Sequence, residues 1–187
     1  MFQYVTVFAL FLCGINSQTV HEGNCPDVPV QENFNLRKFA GVWYEAERSY
    51  IVFEEDSSCT KHTLTAVSNT KLNVLISLIR QDGQSDLIHG TATLNDKPDE
   101  AKFTVDLKLG PRHFSQPTPY FALEVVNNEY ASIWSCAQID PLTYQEFSII
   151  LTRSRNPSKE TLKKARNVYK RNNISWEEVQ KVDQNNC

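Results

Sequence analysis

The chain has 187 residues, 41% of them hydrophobic, which suits one domain with a single substantial core and argues against a second domain of any size. Its 19 Lys and Arg against 22 Asp and Glu give a formal charge of −3, without the cationic excess that phosphate neutralisation needs, so nucleic acid is not an expected partner. Five cysteines make the compartment in which the chain folds the first question.

Val5 to Leu12 reads VTVFALFL and is followed by the smaller, more polar Gly14-Ile15-Asn16-Ser17. That apolar run has the length of a signal-peptide core and is too short to span a bilayer. We therefore expect a signal peptide over residues 1–17, a mature domain over 18–187, and a secreted, extracellular protein. Cleavage would remove Cys13 and leave Cys25, Cys59, Cys136 and Cys187, an even set that allows three pairings.

From Gly41 to Thr152 the sequence is a succession of short β-type segments. The expected strands are Trp43–Arg48, Thr60–Ser68, Leu72–Ile79, Asp86–Leu94, Phe103–Leu109, Tyr120–Val126, Tyr130–Gln138 and Glu146–Thr152. In the third, apolar residues fall on the even positions, with Asn73 and Ser77 opposite, and Asp82-Gly83 then signals a tight hairpin. The fifth puts Phe103, Val105, Leu107 and Leu109 on one face until Gly110-Pro111 stops it. Eight strands at such regular spacing argue for an antiparallel up-and-down barrel or a sandwich over any βαβ fold. Beyond them Leu162, Ala165 and Tyr169 lie at helical spacing behind Ser158, a suitable N-cap. Lys159, Lys163, Lys164, Lys170 and Arg171 make the rest of that helix a solvated basic surface. Asn173-Ile174-Ser175 is an N-glycosylation sequon, so Asn173 is a candidate glycan site. His21, His62, His89 and His113 are scattered; neither a metal-spaced His/Cys set nor a Ser-His-Asp constellation is visible, and we expect no enzyme and no metal.

The segment Asn33-Phe34-Asn35-Leu36-Arg37-Lys38-Phe39-Ala40-Gly41-Val42-Trp43-Tyr44-Glu45, with G-x-W-Y at its end, resembles the first signature of the lipocalins, and Ile149-Ile150-Leu151-Thr152-Arg153 resembles the end of their last barrel strand. The resemblance implies an all-β, eight-stranded antiparallel up-and-down barrel with a C-terminal α-helix on its wall and a 3₁₀ turn before the first strand. It also implies a floor made of Gly41, Trp43 and Arg153, the arginine stacked over the indole for roughly 0.5–2 kcal/mol. Cys25-Pro26, Trp134-Ser135-Cys136 and Asp183-Gln184-Asn185-Asn186-Cys187 are similar to the apolipoprotein D-like branch of the family, insect members included. That likeness implies disulfides Cys25–Cys136 and Cys59–Cys187. It also implies weak membrane or lipoprotein contact through the loop around Phe114. The second family signature is replaced by Val125-Val126-Asn127, so no receptor is carried over.

A barrel of eight strands encloses room for one small ligand. Alternation assigns to its interior Leu64, Ile76, Leu78, Phe103, Val105, Leu107, Tyr120, Ile133, Phe147, Ile149 and Leu151, an apolar lining. Arg80 continues the parity of Ile76 and Leu78 towards the mouth, where it could meet a carboxylate or stay on the exposed hairpin. Glu45 and Glu47 share parity with Trp43, and an unpaired carboxylate in a dry pocket is costly, so a bulge, water or partner must resolve them. The expected function is a carrier that reversibly binds a fatty acid, retinoid, steroid or similar lipid, with no cofactor beyond that cargo. A bilin is the alternative cargo, for which His62 is the candidate contact, and a lipocalin-type isomerase a more distant one.

Overall fold

The computed structural model describes residues 20–95, 97–109, 117–176 and 179–187. The expected signal peptide and the tip of the loop around Phe114 lie outside them. Twelve elements follow one another: β1 (Val20–Glu22), α1 (Leu36–Phe39), β2 (Gly41–Arg48), β3 (Ser58–Ala66), β4 (Lys71–Ile79), β5 (Ser85–Leu94), β6 (Lys102–Lys108), β7 (Thr118–Val126), β8 (Tyr130–Asp140), β9 (Thr143–Thr152), α2 (Lys159–Arg171) and β10 (Gln180–Lys181).

Strands β2 to β9 pair consecutively and antiparallel, and β9 pairs back onto β2 through Tyr44↔Thr152 and Glu45↔Leu151. The ring is thereby closed and its strand edges are satisfied. Alternation is cleanest in β4, where Leu72, Val74, Ile76 and Leu78 are buried and Asn73 is exposed. At the following hairpin only Gly83 has a positive φ, 83°. Arg80 N–H donates to Gln84 O at 2.8 Å, which makes the connection wider than a two-residue Asp-Gly turn. Strand β9 begins at Thr143, three residues before the expected start, because Asp140 closes a short turn by accepting from Leu142 N–H (2.7 Å) and the Thr143 hydroxyl (2.6 Å).

Two features set the barrel's ends. In β2 the register against β9 shifts between Glu45 and Glu47, so Ala46 is a bulge. Past it, β2 leaves β3 and pairs instead with β10 through Glu47↔Lys181 and Arg48↔Gln180. The C-terminal tail fills the wedge between β2 and β3: Gln184 Nε2 donates to Glu45 O (2.9 Å) and Thr60 O (2.8 Å). The Cys59–Cys187 disulfide, Cα–Cα 5.5 Å, clamps that tail, and Cys25–Cys136, Cα–Cα 5.9 Å, ties the N-terminal arm to β8.

Helix α2 packs on β7, β8 and β9. Ser158 caps it by accepting from Thr161 N–H at 3.0 Å. Ala165, Val168 and Tyr169 are fully buried, and the Tyr169 hydroxyl is shared between Ile133 O (2.8 Å) and Ile149 O (2.7 Å). Lys159, Lys163, Lys164, Lys170 and Arg171 are exposed. Asn173, just past the helix, is exposed with φ 57°.

Candidate ligand-binding cavity

The closed end is built from α1, the start of β2 and Arg153. Where the resemblance implies a 3₁₀ turn, Leu36–Phe39 is a single α-turn capped by Asn35, whose side chain accepts from Lys38 N–H at 3.0 Å. Gly41 then takes φ 108°, a conformation open to glycine, and a Cβ there would lie 3.1 Å from Arg153 Nη1. Trp43 is fully buried and donates from Nε1 to Phe39 O at 2.8 Å. The Arg153 guanidinium carbon lies 3.6 Å from the Trp43 ring centroid. Its nitrogens fan out to backbone carbonyls of three segments: Nε to Asn127 (2.8 Å), Nη1 to Val42 (2.8 Å), and Nη2 to Lys38 and Ala40 (both 3.0 Å). Phe39 packs tilted against the indole at 5.4 Å and stacks on Phe103 at 6.0 Å, with Phe34 edge-on to both phenylalanines at 5.4 and 5.5 Å. The floor is therefore a sealed aromatic layer pinned by one cation.

Above it lies a cavity of about 260 Å³. Of the side chains that alternation places inside, Leu64, Ile76, Phe103, Val105, Leu107, Tyr120, Phe147, Ile149 and Leu151 line it. Three expected ligand contacts do not. Leu78 and Ile133 point inward and belong to the interior cluster, but they are not among the residues that border the void. Arg80 is held outside by Asp86, Nη2 to Oδ2 at 2.5 Å, and by Phe53 O at 2.7 Å. Its guanidinium keeps the Asp86 carboxyl below the usual carboxylate range. The short-range partner across the hairpin takes the arginine that parity alone sends to the mouth.

Alternation also missed part of the lining. After β2 the chain turns inward through a 3₁₀ turn at Val52–Glu54, and Ile51, Phe53 and Glu54 close over the cavity while Val52 faces solvent. The carbonyl of Glu54 accepts from Arg48 Nη2 and from the Ser57 hydroxyl, which fixes that turn. A loop has no period to read; its apolar Ile51 and Phe53, two apart, are the one trace it leaves in the sequence.

The two glutamates of β2 separate at the bulge. Glu47 swings to the outer face, where it is buried against α2 and pairs with Arg166. Glu45 stays inside, fully buried, with Arg48 Nη1 at 3.2 Å from Oε2 and His62 Nε2 at 2.9 Å from Oε1. Glu45, Glu54 and His62 bring their polar atoms within 4.8 Å of one another. Burial raises the Glu45 carboxyl against the opposing pull of Arg48. Burial, with Glu45 beside it, raises Glu54 well above its usual value of 4.5, and burial lowers His62 below 6.5. Two buried carboxyls facing one guanidinium retain a proton between them.

A sealed-floor, eight-stranded antiparallel barrel with an apolar cavity is the architecture of the lipocalins. A profile of the Lipocalin / cytosolic fatty-acid binding protein family matches residues 40–186, and the chain belongs to that family. Within it the protein is apolipoprotein D-like. It is 32% identical over 189 residues to apolipoprotein D of Cavia porcellus, covering 100% of this chain and 96% of that protein. It is 26% identical over 180 residues to the Lazarillo protein of Schistocerca americana, covering 94% and 82%. Among solved structures, insecticyanin from the tobacco hornworm Manduca sexta superposes with a TM-score of 0.77 at 21% identity, covering 89% of each chain.

Proposed function

We propose that the protein is a secreted carrier that reversibly binds one small hydrophobic molecule in the barrel and performs no chemistry on it. The observation that carries this is the cavity itself: an apolar void of about 260 Å³, bordered by Phe39 and Phe103 of the aromatic floor and roofed by Ile51 and Phe53. That volume is close to the lower end of the ~300–1,000 Å³ common for small-molecule sites. It favours a slender acyl chain or a compact ring system over a tetrapyrrole. For about 20 heavy atoms at roughly 0.3 kcal/mol each, burial yields about 6 kcal/mol, a Kd in the tens of micromolar. Two disulfides support an oxidising compartment and hence secretion, and they engage all four cysteines of the described residues, leaving no thiol there for isomerase chemistry.

The test is native mass spectrometry of the protein secreted by a eukaryotic host, before any ligand is added, followed by titration of its tryptophan fluorescence with retinol, a fatty acid, a steroid and biliverdin. A co-purifying lipid or saturable quenching is expected. No cargo and no quenching by any of the four would refute the carrier reading. A visible absorption band in the purified protein would replace the lipid with a pigment.

A further inference from the structure

The lining of the cavity is apolar except at Glu54, His62, Thr118 and Tyr120. Three of these are engaged by the protein: the Glu54 carboxyl hydrogen-bonds Glu45, His62 Nε2 lies 2.9 Å from Glu45 Oε1, and Thr118 has an interaction of its own. Tyr120 differs. It projects inward from β7, opposite Phe103 of β6, with its ring centroid 6.3 Å from that of Phe147. Among the described residues its hydroxyl has no hydrogen-bond partner, whereas the Tyr169 hydroxyl has two carbonyls and the Tyr130 hydroxyl has Glu124. Nor is it sealed in the wall. The buried polar atoms left without a partner among the described residues are His21 Nε2 and Glu54 Oε2, and Tyr120 is only partly buried. The surface kept by this inward side chain is therefore surface of the void. A tyrosine hydroxyl inside a protein usually finds a partner, and here the space left for one is the ligand cavity.

We propose that the Tyr120 hydroxyl donates a hydrogen bond to an uncharged oxygen, such as a carbonyl, on an otherwise apolar ligand, and so selects for ligands that carry one. A phenol has one O–H to give. Burial, then the Glu45 and Glu54 carboxyls, raises Tyr120 well above its usual value of 10, so the proton stays on the oxygen. A plain hydrocarbon filling the void would take away the water that the hydroxyl can otherwise reach and put no acceptor in its place, a cost that a ligand carbonyl removes. An ionised head group fails for a different reason. No Lys or Arg lines the cavity among the described residues, and Arg48 behind the wall is committed to Glu45 and to Glu54 O. A carboxylate accepting from Tyr120 would enter beside two acidic side chains without a counter-ion, in surroundings that screen poorly.

This inference rests on the carrier reading, and a matched ligand set separates the two. Binding of 2-acetylnaphthalene, 2-ethylnaphthalene and 2-naphthoate, which differ only in one substituent, is measured by equilibrium dialysis at pH 7.4 on the full secreted protein and on Tyr120→Phe. Wild type is expected to bind the ketone about tenfold more tightly than the carboxylate. Tyr120→Phe keeps the ring against Phe147 and should bind the ketone about fivefold more weakly, the size of one net hydrogen bond, while 2-ethylnaphthalene stays within about twofold of wild type. The carbonyl stretch of 13C-labelled 2-acetylnaphthalene should fall on binding to wild type relative to its value in hexane, and return towards that value in Tyr120→Phe. Ketone affinity untouched by the variant, a stretch that is unshifted in wild type or that the variant does not move, or 2-naphthoate bound as tightly as the ketone would overturn the Tyr120 contact while leaving the carrier standing. An equal loss of the ketone and of 2-ethylnaphthalene would mark Tyr120 as packing alone and also overturn it. Failure of all three ligands to bind wild type would remove both.

Discussion

Arg153 should be the side chain whose loss most weakens the closed end of the barrel. Its guanidinium covers Trp43 at 3.6 Å and donates to carbonyls of Asn127, Val42, Lys38 and Ala40. The cation–π contact contributes about 1 kcal/mol at a half-buried position. Water can reach some of the four carbonyls in its absence, so we count two hydrogen bonds at about 1 kcal/mol each. Arg153→Met, which keeps an apolar stem over the indole, should therefore cost about 3 kcal/mol. With a urea m-value near ~2 kcal/mol/M for a domain of this size, the unfolding midpoint should fall by about 1.5 M at unchanged slope. Arg153→Lys restores the cation over the ring and lacks the planar fork, so it should recover only about 1 kcal/mol of that loss. A loss below ~0.5 kcal/mol for the methionine variant, within the range of ordinary surface changes, would refute the claim that this residue pins the floor. A lysine variant as stable as wild type would refute the role given to the fork.

Three further outcomes are expected. Gly41→Ala combines an L-residue at φ 108° with a Cβ 3.1 Å from Arg153 Nη1, whereas Gly83→Ala has a similar φ and open space; both should lose about 1–3 kcal/mol of stability to the backbone strain they introduce, with Gly41→Ala the worse in urea melts. Replacing Cys59 and Cys187 together by Ser opens a link across 128 residues and should cost about 2–5 kcal/mol, and limited proteolysis should then remove the tail from Gln180 onward while the barrel stays intact. The buried cluster should give stability two opposed pH limbs. Burial, then Glu45, raises Glu54 above 4.5, so its contribution is full below pH 4.5 and is lost as pH rises through the folded-state value; burial lowers His62 below 6.5, so its contribution is present above pH 6.5 and is lost as pH falls. Glu54→Gln should flatten the upper limb and His62→Gln the lower in melts from pH 4 to 9, and a Glu54→Gln curve parallel to wild type above pH 5 would contradict the first assignment.

Period-two alternation predicted the interior well where a strand is long, regular and paired on both sides. In β4 and β6 every second residue from Leu72 and from Phe103 faces inward, because the pleat leaves no other choice once one face is apolar. It predicted less well which inward residues meet the cavity. Leu78 and Ile133 obey the parity and join the interior cluster without lining the void, since which inward side chains border it is set by side-chain volumes on neighbouring strands. Glu54 escaped for a related reason, because its partner Arg48 becomes a neighbour only when the loop after β2 folds inward; Arg80 is taken by Asp86 across its own hairpin, and Phe53 O of that loop adds a second acceptor.

The bulge at Ala46 links these omissions. In an unbulged β2, Glu47 would follow Trp43 and Glu45 into the barrel and Arg48 would face out. The interior would then hold two carboxylates on adjacent inward positions without a cation between them. One extra residue exchanges those two side chains. Glu47 moves to the outer wall, where Arg166 of α2 meets it, and Arg48 turns inward to join Glu45 and reach over Glu54. The same shift ends the pairing of β2 with β3 and opens the wedge that β10 and Gln184 occupy. The docking of the helix, the seat of the tail and the polar wall of the cavity therefore share one cause, and it is invisible to any reading that assumes a uniform pleat. What the sequence does show is the conflict itself, two glutamates at inward parity beside the floor tryptophan, and such a conflict is where a break in register should be sought.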